Sequence, residues 1–88
     1  MNNTNTYWIK VEEISEGLHP SEFLVTFKTK DNNLEQAICN RLFVDENNKL
    51  MRVYFVVEEN DYCVVSLSQE TISGSNRVLV SKDILKYS

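Results

Sequence analysis

The chain has 88 residues, 42% of them hydrophobic and 25% charged, which suits one domain with one core and excludes a chain disordered by composition. Its net charge is −4, with nine basic residues scattered among thirteen acidic ones, a pattern that argues against a duplex or RNA ligand and against an anionic membrane surface. No apolar run approaches the roughly 20 residues of a membrane span, and residues 1–6 lack the apolar stretch of a secretory signal, so the expected location is the cytoplasm.

Residues 1–6, MNNTNT, are small and polar and read as a frayed tail before a single β-rich domain over 7–88. Residues 7–13 alternate, with Tyr7, Ile9 and Val11 on one side and Trp8, Lys10 and Glu12 on the other, the period of a half-buried strand. Gly17 and the His19-Pro20 pair mark residues 14–21 as a loop, because the proline ring excludes helical dihedrals from the residue before it. Residues 22–30 alternate again, Phe23, Val25 and Phe27 inward, Leu24, Thr26 and Lys28 outward. Asp31-Asn32-Asn33 predicts a turn, since short Asx side chains bond their own backbone and tolerate left-handed dihedrals.

Residues 34–44 read two ways. As a helix over 34–43, Leu34, Ala37, Ile38 and Leu42 share one stripe and Asn33 caps the start with Gln36 as its partner. As a strand, Leu34, Gln36, Ile38, Asn40 and Leu42 share a face into which polar residues intrude. A short helix among strands is marginal without packing, which tips the expectation to strand. The helix version gives the alternative fold, α+β with one helix on the sheet.

A hairpin over 50–67 is the clearest element. Met51, Val53, Phe55 and Val57 share one face, as do Cys63, Val65 and Leu67. A two-residue turn at Asn60-Asp61 would set Glu58 opposite Cys63 and Phe55 opposite Ser66, mixing the faces. A three-residue loop, Glu59-Asn60-Asp61, pairs Val57 with Cys63 and Phe55 with Val65, keeping one apolar face intact with a left-handed residue at Asn60 or Asp61. Residues 69–76 are a polar loop around Gly74. Residues 77–81 form a short strand with Val78 and Val80 inward, and Ser81 caps a helical turn that places Ile84 or Leu85 over one end of the core.

The sum is a mainly β domain, an antiparallel meander of five or six strands closed into a small barrel with a C-terminal helical turn. That order is similar to SH3-like barrels, a likeness of fold that carries no function.

Catalytic, cofactor and metal residues are none in this reading. The single histidine, His19, sits in a loop without a nucleophile beside it, and Cys39 and Cys63 fall in apolar-patterned segments where a thiol stays protonated. Two cysteines without CxxC spacing predict buried free thiols, with a single Cys39–Cys63 bridge as the alternative, and no zinc site. Two glycines cannot build a phosphate-cradling loop. Asp45-Glu46-Asn47-Asn48 lacks the length of a calcium loop, and neighbouring acids such as Glu12-Glu13 and Glu58-Glu59 point to opposite faces of a strand.

The remaining signal is surface. The hairpin is apolar on both sides, and a small barrel buries one. Tyr54, Val56 and Val64, with Leu24 and with Trp8 on the first strand, are the expected interface, used with a protein partner or a second copy in a homodimer. The sequence therefore predicts a non-catalytic interaction module or accessory subunit. The alternative is a nucleic-acid-binding small barrel using Trp8, Lys10, Arg52 and Tyr54, ranked lower on net charge.

Overall fold

The computed structural model describes residues 6–69 and 71–87; apart from Thr6, the polar tail expected at the N-terminus lies outside them. The strands run in the order β1 (Tyr7–Lys10), β2 (Glu13–Glu16), β3 (Glu22–Lys28), β4 (Leu34–Asn40), β5 (Val44–Asp45), β6 (Leu50–Glu58), β7 (Tyr62–Ser66), β8 (Arg77–Ser81) and β9 (Leu85–Tyr87). Single 3-10 turns occupy Arg41–Phe43 and Lys82–Ile84.

Two antiparallel sheets result. The larger has the order β8-β7-β6-β1-β9, with β5 pairing the start of β6, and the smaller has the order β2-β3-β4. The mainly β, antiparallel reading holds. The pairing does not close into a barrel, however, and the strands are shorter and more numerous than five or six. The chain breaks the first expected strand where it passes between layers. Residues 7–16 bend at Val11-Glu12, whose amides bond Lys49 O at 2.9 Å and Thr26 O at 2.8 Å, so β1 joins one sheet and β2 the other. The segment 14–21, expected as loop, therefore begins as part of β2, with Ile14 opposite Val25.

The inner faces of the two sheets meet in one core. Ile9, Met51, Val53, Cys63, Val65, Val78 and Val80 come from the large sheet and Phe23, Val25, Phe27, Ala37 and Cys39 from the small one, all buried. Residues Ile84 and Leu85 pack against its edge, as expected of the terminal turn, where the Ser81 side chain accepts from the Asp83 amide at 3.2 Å. The last three residues of that region then return as β9 beside β1, an element the sequence reading lacks.

The ambiguous segment is strand over Leu34–Asn40, followed by a turn that Asn40 caps through its side-chain oxygen. The inward residues are Ala37 and Cys39, the opposite parity to the expected face. The apparent polar intrusions Gln36 and Asn40 are simply outward positions. The turn before it is as expected: Asn32 takes φ 66°, and Thr29 and Asn33 close a three-residue loop through a 2.8 Å bond.

The central hairpin combines the two registers that the sequence sets against each other. Glu59 donates to Tyr62 O at 2.8 Å around a two-residue turn, and Glu58 stands opposite Cys63. Val56 is then absorbed as an extra residue, and from Phe55, opposite Val65, the apolar face is inward again. Neither Asn60 nor Asp61 is left-handed, because a bulge rather than a longer loop corrects the register.

Candidate interaction surface

Strand alternation decides what each sheet shows to the outside. Beyond the bulge, Val57 faces outward opposite Val64, and Val64 stands opposite Leu79 on β8, so three aliphatic side chains form one row across three strands. Val57 is 41% exposed, Leu79 40%, and Val56 beside them 38%. The next row is Tyr54, Ser66 and Arg77, with Tyr54 51% exposed. No described element lies across these rows.

Of the residues expected at the interface, Tyr54, Val56 and Val64 come together here. Trp8 belongs to the same outer face but two strands away from Val64, half-buried and opposite Arg52 on β6 and Lys86 on β9. Leu24 does not join them: it lies on the outside of the small sheet, between Ser15 and Ile38. With Leu18 and Ile72 it lines a separate shallow groove of about 290 Å³. Val57 and Leu79 were missed. Leu79 is the obvious outward residue of a strand whose Val78 and Val80 point in. Val57 could not be read, because nothing in an unbroken apolar run shows where a bulge will fall.

A polar hollow of about 450 Å³ lies beyond the Val64–Leu79 pair, between the β3–β4 turn and the terminal turn, lined by Lys30, Tyr62, Lys82 and the acids Asp31, Asp61 and Asp83 among others. Its cations are engaged. Lys30 sits 5.1 Å above the Tyr62 ring and 3.5 Å from Asp31, and Lys82 pairs with Glu58 at 2.7 Å. Among the described residues, no group of three or more His, Cys, Asp and Glu side chains is gathered as a metal would require.

Cys39 and Cys63 are buried and free. Burial pushes both thiols up from their ordinary value. A hydrogen bond to Ser68 partly offsets it at Cys39. At Cys63 the nearby Glu58 charge adds to the rise and Lys82 opposes it. His19 is exposed in its loop, where its carbonyl accepts from the Glu22 amide at 3.0 Å. Among the described residues, no helix is long and apolar enough to cross a membrane.

A comparison of the chain with protein-family models, with curated proteins and with solved structures returns no match.

Proposed function

We propose that this domain is a non-catalytic protein-interaction module whose contact surface is the outer face of β6, β7 and β8, and that the partner is a second copy of the chain. The supporting observation is the Val57–Val64–Leu79 row, three aliphatic side chains in register without a charge among them. A two-fold contact brings residues at its axis close to their own copies, which repels like charges but suits an uncharged row. Tyr54 at the border supplies the kind of large, amphipathic side chain that anchors interfaces. The cytoplasm is the matching compartment, since a reducing medium keeps unpaired thiols as they are.

The test is absolute mass by light scattering over a concentration series. Self-association predicts a species of twice the 10.3 kDa chain mass, reduced to the monomer by Leu79→Lys and by Val64→Glu. A monomer at every concentration overturns the self-association. A dimer that both variants leave intact overturns the surface.

A further inference from the structure

In the sequence, acidic and basic residues interleave; on one face of the fold they separate. Residues 12–22 carry four glutamates and no lysine or arginine, and they belong to the small-sheet side of the molecule. The outer face of the large sheet carries the opposite sign. One row reads Lys86, Trp8, Arg52 across β9, β1 and β6. The row on one side reads Lys10, Leu50, Asp45, and the row on the other reads Tyr54, Ser66, Arg77. These rows hold four cations against the single acid Asp45, whose carboxylate is turned to the amide and side chain of Asn48. The three cations that form ion pairs, Lys30, Arg41 and Lys82, all lie elsewhere, and among the described residues none of Lys10, Arg52, Arg77 and Lys86 forms one.

We propose that this face binds single-stranded nucleic acid. Arg77 on β8 and Lys86 on β9 stand at the two edges of the sheet, four strand spacings apart, on the order of 19 Å. Between them lie Arg52 and two aromatic rings, Trp8 half-buried and Tyr54 exposed. An open sheet face with unpaired cations for phosphates and ring faces for bases is the arrangement that holds single strands without reading sequence. A duplex offers no unstacked base to Tyr54, and a simple polyanion would leave the rings unused. The net charge of −4 does not oppose this, because a bound strand is held by the face it touches and the acidic side is turned away. The proposal does not rest on self-association; the aliphatic row lies beside the Tyr54, Ser66, Arg77 row, so Tyr54 borders both surfaces and Arg52, Trp8 and Lys86 belong to this one alone.

The experiment is titration of the full chain with a fluorescein-labelled oligothymidylate of about twelve nucleotides, read by anisotropy and by the emission of Trp8, the only tryptophan. Binding with quenching of Trp8 is expected, and the affinity should fall with salt at a log–log slope of about −2 to −3, as up to four phosphate contacts imply. Arg52→Ala with Lys86→Ala should weaken binding by roughly tenfold or more at low salt. Tyr54→Ala should cost roughly fivefold or more through lost stacking. Lys28→Ala with Lys82→Ala removes the same charge elsewhere and should change affinity less than about twofold. Three results overturn the proposal: no binding at millimolar protein in low salt; equal losses from the two lysine-arginine and lysine-lysine pairs; or dextran sulfate competing charge for charge while Tyr54→Ala has no effect, which would make the face a general polyanion binder.

Discussion

Val57 stands opposite Val64, and two residues earlier in the chain Phe55 stands opposite Val65, so one residue of β6 has no counterpart on β7. That residue, Val56, reconciles a tight turn with an unbroken inner face. Its removal leaves every other pair in place: Glu58 with Cys63, Val57 with Val64, Phe55 with Val65. Deletion of Val56 is therefore expected to give a folded domain with a straighter hairpin, and the Phe55–Val65 contact should persist in nuclear Overhauser spectra. An alanine inserted after Val53 has the reverse effect, turning one arm of the strand over, and should abolish cooperative unfolding.

Burial separates the apolar residues into two energetic classes. Phe27 is fully enclosed at the middle of the core, and Phe27→Ala is expected to cost about 3–5 kcal/mol in urea denaturation. Leu18 and Leu42 are 84% and 83% exposed, and alanine at either should stay within about 0.5 kcal/mol of wild type.

Arg41 ties the His19-Pro20 loop to the small sheet. Its guanidinium lies 4.0 Å above the Phe23 ring, donates to the Pro20 carbonyl and pairs with Glu16 at 2.9 Å. The ring contact and the carbonyl bond need the flat, forked group, so Arg41→Lys is expected to lose roughly 1 kcal/mol. Glu16 is largely exposed, and Glu16→Gln should lose less than about 0.5 kcal/mol. Equal losses in the two variants would assign the role to the ion pair.

Among the described residues, two other than glycine occupy left-handed backbone, Asn32 at φ 66° and Lys49 at φ 55°. Asparagine tolerates that region, lysine does so at a cost of roughly 1 kcal/mol. Lys49→Gly is expected to stabilise the fold by up to about 1 kcal/mol, and Asn32→Val to destabilise it by roughly 1–2 kcal/mol, both measured by thermal unfolding.

The thiols set an alkaline limit. Folding raises both cysteine pKa values above the ordinary 9.0, so the native state keeps protons that the unfolded chain releases. Their contribution is complete below pH 9.0 and declines as pH rises through the higher native values. Urea midpoints should fall above that pH, and less steeply in the Cys39→Ala, Cys63→Ala double variant. At neutral pH both thiols should resist a small disulfide reagent until the chain is unfolded.

The inward residues of β1, β3, β7 and β8 were legible because each strand buries one face, which prints itself as alternation. The β4 face was not, since Ala37 and Cys39 are small and the larger Leu34 and Ile38 point out. The division into two sheets depends on a bend at Val11-Glu12 that no glycine or proline announces. The basic face was legible in part: Trp8, Lys10, Arg52 and Tyr54 stood out in the sequence, whereas Arg77 and Lys86 join them only through the pairing of β8 and β9 into the same sheet.

The bonds that cross between the layers give the molecule the mechanics of a clasped book. The spine is the chain itself, which crosses between the layers at Val11-Glu12 and again at Arg41–Phe43. The clasps are the Lys30 amide on Leu79 O at 2.8 Å and the Ile72 amide on Gln36 O, also 2.8 Å. Parting the covers breaks these bonds, the Ser73–Glu35 contact and the shared core, but no ladder inside either sheet. Deuterium uptake at the Lys30 and Ile72 amides, set against that at the Val65 amide in the large sheet, therefore clocks the parting of the covers separately from unfolding of the whole.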